Sequence, residues 1–208
     1  MKPSSGALVI LDCDGVLFDS FEANVAFYNA VLGRLGEPPL DDDGREHAHR
    51  MATPQVMKWL FGDDPAKLAR AMEAAYATEY APFLAQLEPV PELFETLRWL
   101  RDHYRTAMAT NRGATIPELV AHFELAPLFE MVVGIRDVKH PKPAPDMLFH
   151  CLEGLGVESV DAVYVGDSPS DLAAAQAASI RFIGVGGSVE HDTRIEELRA
   201  LPELLRSL

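Results

Sequence analysis

The chain predicts an α/β fold, a sheet of parallel strands joined by helical crossovers, with an all-helical unit inserted after the first strand. Three observations carry this. Short β-rich apolar runs alternate with helical patterns, as parallel strands and their crossovers do. About 90 residues separate the first such run from the second, far more than a simple crossover needs. Within that interval the apolar residues recur at helical spacing.

The first run, Ala7-Leu8-Val9-Ile10-Leu11, is apolar throughout and reads as a core strand. The insertion opens with Phe21, Val25, Tyr28, Leu32 and Leu35 at helical spacing, followed by a loop from Glu37 to Gly44. Thr53-Pro54 reads as a cap and first-turn proline ahead of Val56, Met57 and Leu60. Asp64-Pro65 repeats the signal for a helix through Leu68, Met72, Ala75, Tyr76 and Tyr80, and Pro82, Pro89 and Pro91 punctuate the exit. The predicted division is a core of residues 1–18 and 88–208 and a helical cap of residues 19–87. Beyond the insertion, Leu93, Leu97 and Leu100 mark a helix before a strand over Thr106 to Ala109. Strands over Met131 to Gly134, Ala162 to Val165 and Arg181 to Val185 come next, with helices over Ile116 to Phe123, Met147 to Leu155, Leu172 to Ala178 and Ile195 to Leu205.

With 208 residues and 48% apolar content, the chain can bury a substantial core. A net charge of −14 argues against nonspecific nucleic-acid or anionic-membrane binding, which reward clustered Lys and Arg. It also repels anionic substrates at long range, so phosphate chemistry would need a metal and a few basic groups close by. No apolar run reaches about 18 residues, and Cys13 and Cys151 form no disulfide framework, so a cytoplasmic protein is expected. Cys13 reads as a small core residue, turned by strand alternation away from its acidic neighbours.

Those neighbours are the most informative feature. Asp12 and Asp14 end the first strand, and an extended backbone throws both carboxylates to one side. Thr110-Asn111-Arg112 succeeds the second strand and Gly166-Asp167-Ser168 the fourth. The carboxyl ends of parallel strands are where ligands bind. Asp171 lies one helical turn beyond Asp167, and Lys142 precedes the helix begun by Pro143-Ala144-Pro145. Gathered together the acids would repel by about 4 kcal/mol per pair at roughly 4 Å, so something positive must sit among them. Oxygen-only ligands with room for water and phosphate suit Mg²⁺. A nucleophilic carboxylate, a second acid, a hydroxyl, an amide and a lysine are the parts phosphoryl transfer through an aspartyl-phosphate requires.

Asp12-Cys13-Asp14-Gly15-Val16-Leu17-Phe18-Asp19-Ser20, Thr110-Asn111-Arg112, Lys142-Pro143-Ala144-Pro145-Asp146 and Gly166-Asp167-Ser168-Pro169-Ser170-Asp171 resemble, in order, the four motifs of the haloacid dehalogenase superfamily. The resemblance is to its helical-cap phosphatases, the phosphoglycolate-phosphatase-like and β-phosphoglucomutase-like members. It implies a Rossmann-like core with a helical cap. Asp12 would attack phosphorus, and Asp14 would protonate the leaving group and then activate water. Thr110, Asn111 and Lys142 would bind the phosphoryl group. Asp12, the Asp14 carbonyl and Asp167 would ligate Mg²⁺, with Asp171 and Ser168 supporting that shell. In the cap, Arg45, His49 and Arg50 are candidates for selecting substrate. Ser179 departs from the pattern, since a glycine is expected to end the helix after Asp171.

The expected activity is Mg²⁺-dependent hydrolysis of a small phosphorylated metabolite, by a monomer or homodimer. A sugar phosphomutase shares the same acids, and a non-catalytic binding module shares the fold. The residues alone leave both alternatives open.

Overall fold

The computed structural model of the chain describes residues 6–51 and 53–208, apart from the side chains of His49 and Arg50. The chain divides into two compact units. The first comprises residues 1–19, 89–113 and 123–208, and the second residues 20–88 and 114–122.

The first unit is built on a six-stranded sheet. Its strands are β1 (Leu8–Leu11), β4 (Arg105–Ala109), β5 (Met131–Val133), β6 (Ala162–Gly166), β7 (Arg181–Val185) and β8 (Arg194–Ile195). The short strands β2 (Phe18–Asp19) and β3 (Glu88–Pro89) lie where the chain leaves this unit and rejoins it. There the backbone N–H of Val90 donates to the carbonyl of Leu17 at 3.1 Å.

The strand order is β5-β4-β1-β6-β7-β8, and every pairing is parallel. β1 is central because each of its four residues is buried, which suits a strand covered on both faces. Leu8 and Ile10 join a cluster with Met147, Leu148 and Cys151 of α7 (Asp146–Leu155) and Ala174, Ala175 and Ala178 of α8 (Pro169–Ala178). Val9 and Leu11 are equally buried yet lie outside that cluster, because strand alternation turns them to the other face. α5 (Leu93–His103) packs against β4, and α9 (Leu201–Ser207) packs against α5.

Two local features differ from the sequence reading or bear on it. Ile195, expected at the start of the last helix, lies in β8 paired with Val185, and the helix begins at Leu201. A two-residue strand has no visible periodicity, so apolar spacing alone merges it with the neighbouring helix. Ser179 ends α8 at φ 56°, the left-handed conformation anticipated there for glycine.

The second unit contains α1 (Phe21–Leu35), α2 (Asp42–Arg50), α3 (Thr53–Phe61), α4 (Pro65–Tyr76), a 3₁₀ turn over Ala81–Gln86, and α6 (Ile116–His122). Asp41 caps α2 by accepting from Gly44 N–H at 2.9 Å, and Asp64 caps α4 ahead of Pro65. Phe27 anchors an aromatic cluster with Tyr28, Tyr80 and Phe83. Among the described residues no helix is long and apolar enough to cross a membrane.

Candidate active site

Two backbone hydrogen bonds carry the sheet one residue past its strand ends and so fix where the site begins. Asp12 N–H donates to Val165 at 2.9 Å and Thr110 N–H to Val133 at 3.0 Å, placing both residues at the carboxyl rim of adjacent strands. Gly166 ends β6 on the same rim, and its missing side chain matters, since a Cβ there would collide with Asp171. The backbone N–H of Ser168 and its hydroxyl both donate to Asp171 Oδ2, while Ser168 Oγ accepts from Asp171 N–H, a reciprocal cap that starts α8.

Carboxylate oxygens of Asp12, Asp167 and Asp171 lie within 4.8 Å of one another. Lys142 sets one positive charge against this group. Its side chain is 2% exposed, and its Nζ stands 2.7 Å from Oδ1 of both Asp12 and Asp171. Hydrogen bonds run from Nζ to Asp171 Oδ1, to the Tyr164 hydroxyl at 2.9 Å and to the Ala109 carbonyl at 3.2 Å. Asp12 Oδ1 shares the same ammonium at ion-pair distance. Three carboxylates gathered around one ammonium leave negative charge in excess, and their oxygens suit a hard cation. Gly15 supports the same fit, because any Cβ there would fall on the Asp167 carboxylate. Asp12 and Asp167 could thus hold a metal ion. Asp171 supports the cluster differently, with Oδ1 taken by Lys142 and Tyr164 and Oδ2 by Ser168.

The electrostatics match the geometry. Burial drives the Asp12 carboxyl well above its ordinary range; Lys142 opposes this, and Asp171, Asp167 and Asp14 add to it. Burial pushes Asp167 up to about 7, with Asp171 adding to the rise. Asp171 is buried more deeply than Asp167, yet the charge of Lys142 and hydrogen bonds from Lys142, Ser168 and Tyr164 hold it below the usual range. Burial works against the charge on Lys142, but Asp12 and Asp171 raise its pKa above that of an ordinary lysine.

Asp14 stands apart from the carboxylate trio. Its oxygens meet the fork of Arg112, Nε to Oδ2 at 2.8 Å and Nη2 to Oδ1 at 2.6 Å. Thr110 is buried, and its hydroxyl accepts from Arg112 N–H at 3.1 Å. The Asn111 amide clasps the backbone of Lys142, accepting from its N–H at 3.1 Å and donating to its carbonyl at 3.2 Å. The Asn111 side chain therefore holds the backbone that carries the lysine. Cys13 is fully buried, and burial pushes its thiol well above the ordinary range.

Within the second unit, Arg45 pairs with Glu22 at 2.8 Å and lies over the ring of Phe21. The side chains of His49 and Arg50 lie outside the described residues.

Two site residues escaped the sequence reading. Arg112 was visible beside Thr110 and Asn111, but nothing local shows that it meets an acid 98 residues away. Tyr164 carried a faint signal, a tyrosine inside a core strand whose hydroxyl must find a partner when buried.

The fold and this rim define an α/β enzyme whose centre is built from carboxylates around one buried ammonium. The chain belongs to the haloacid dehalogenase-like hydrolase family, whose model matches residues 9–185. It is 32% identical to a plasmid-encoded phosphoglycolate phosphatase of Cupriavidus necator, over 95% of this chain and 92% of that one. Phosphoglycolate phosphatase 1 of Pseudomonas aeruginosa is 28% identical over 91% of this chain and 73% of its own length. Among solved structures, a subfamily IA hydrolase of that superfamily from Geobacter sulfurreducens superposes with a TM-score of 0.77 at 31% identity, covering 97% and 99% of the two chains. The family and these relatives make the chain an enzyme of the phosphatase class.

Proposed function

We propose that the chain is a Mg²⁺-dependent phosphatase that hydrolyses a small phosphorylated metabolite through a phosphoryl group carried on Asp12. The observation that carries this reading is the meeting of the Asp12, Asp167 and Asp171 carboxylates within 4.8 Å of one another, with the Lys142 ammonium 2.7 Å from Asp12. Mg²⁺ held by Asp12, Asp167 and the Asp14 carbonyl would neutralise charge on the phosphoryl oxygens.

A carboxylate oxygen of Asp12 attacks phosphorus as the bond from phosphorus to the ester oxygen breaks, and a proton on Asp14 passes to that oxygen. Asp14, now a carboxylate, takes a proton from water as the water oxygen bonds to phosphorus. The bond from phosphorus to Asp12 then breaks, releasing inorganic phosphate and restoring the starting acids. Thr110 Oγ, the Asn111 N–H and Lys142 would steady the phosphoryl oxygens throughout.

The relatives are named for phosphoglycolate, which makes it the first substrate to test. Arg45, with His49 and Arg50, would select among substrates from the helical unit. Two free, buried thiols accord with a cytoplasmic setting. The test is phosphate release from a metabolite panel that includes 2-phosphoglycolate. Activity is expected with Mg²⁺ and should vanish in Asp12→Asn or after chelation; undiminished turnover in either case rejects the reading.

A further inference from the structure

The fork between Arg112 and Asp14 is asymmetric. The arginine side chain is 6% exposed and the carboxylate 21%, so the cation stands behind and the acid faces outward. Arg112 is held at both backbone ends, its N–H on Thr110 Oγ1 and its carbonyl accepting from Ile135 N–H at 3.0 Å. It therefore belongs mechanically to the loop that carries Thr110 and Asn111. Ion pairs kept only for stability are poor devices, because the cost of desolvation offsets most of the attraction. A planar two-point fork does something a point charge cannot: it fixes the direction of the carboxylate.

We infer that Arg112 is a positioning residue for the acid–base step, aiming Asp14 and locking it in register with the phosphate-binding loop. The inference rests on the reading of Asp14 as the group that protonates the leaving oxygen. Losing the aim then matters most where protonation matters most, for substrates with poor leaving groups. A residue that merely stabilises the fold would slow all substrates alike.

The experiment compares kcat/KM, which covers the step that expels the leaving group, for an alkyl phosphate and for p-nitrophenyl phosphate in Arg112→Ala, Arg112→Gln and Arg112→Lys, in Asp14→Asn, and in Asp14→Asn combined with Arg112→Ala. Each variant is first checked for a cooperative thermal transition, and the two milder arginine variants serve if Arg112→Ala does not fold. Arg112→Ala and Arg112→Gln should each lose about 10-fold more kcat/KM on the alkyl phosphate than on the aryl one, and Arg112→Lys should recover part of that selectivity. In the Asp14→Asn background, Arg112→Ala should add little to that ratio. Equal losses on both substrates, or a full further loss in the double variant, overturn the inference. If Asp14→Asn itself shows no leaving-group selectivity, the acid–base reading of Asp14 fails, and the inference fails with it.

Discussion

The Asp167 carboxylate occupies the space into which any side chain at Gly15 would have to grow. Gly15 also holds φ at 76°, a conformation that L residues with a Cβ rarely adopt. Gly15→Ala is therefore expected to strain its turn and displace Asp167 together. The Mg²⁺ concentration for half-maximal activity should rise about 10-fold, a loss on the scale seen when groups around a metal are disturbed. A Mg²⁺ titration of activity checks it, and an unchanged midpoint would separate Gly15 from the metal site.

Lys142 lies between two acids that, among the described residues, have no other cation as close. Lys142→Met leaves Asp12 and Asp171 buried without their compensating charge, which typically destabilises by about 3–5 kcal/mol. Urea denaturation of the metal-free protein should show that loss, and added Mg²⁺ should recover part of it by binding the folded form alone. Activity should be abolished at every Mg²⁺ concentration, since the cation cannot replace the amine on phosphate.

The acids give the metal-free protein a pH dependence with two arms. The folded pKa of Asp167, about 7, lies above its unfolded value of 3.8. Between those values the folded state binds more protons, so stability falls as pH rises from about 4 to about 7. Asp12 is raised as well and acts in the same direction. Asp171 is lowered, so its contribution is present above its unfolded value and is lost as pH falls through the folded one. Thermal melts in chelator should therefore peak in mild acid. Asp167→Asn should flatten the decline toward neutrality, and a profile identical to the parent would contradict the assignment.

Ser179 adopts the left-handed conformation without being glycine. That conformation costs a residue with a Cβ roughly 1–2 kcal/mol, offset in part by the greater chain entropy of unfolded glycine. Ser179→Gly should raise stability by up to about 1 kcal/mol and leave kcat unaltered, measured by chemical denaturation and steady-state rates.

Asp12, Asp14, Lys142 and Asp167 could be picked out as candidates because they sit in short patterns next to strands whose own apolar runs are plain. The parallel sheet and the helical insertion were legible for the same reason, since both rest on periodicity. The features that stayed hidden depend on pairs distant in the chain. Tyr164 meets Lys142 and Asp171 only because a strand and a helix converge behind the rim, and Arg112 meets Asp14 across 98 positions. The role of the Asn111 side chain also escaped notice. Its amide reads locally as a phosphate ligand, yet in the fold it clasps the backbone of Lys142. The segment 114–122 obeys the same rule: it clusters with residues 20–88 although the chain carries it between core strands.

The hydrogen bond between Leu17 and Val90 closes the base of the inserted stretch. Its exit lies beside its entry, along the same short ribbon. Lengthening a loop inside that stretch therefore adds only a small closure cost and need not shift the register of the strands that carry Asp12 and Asp167.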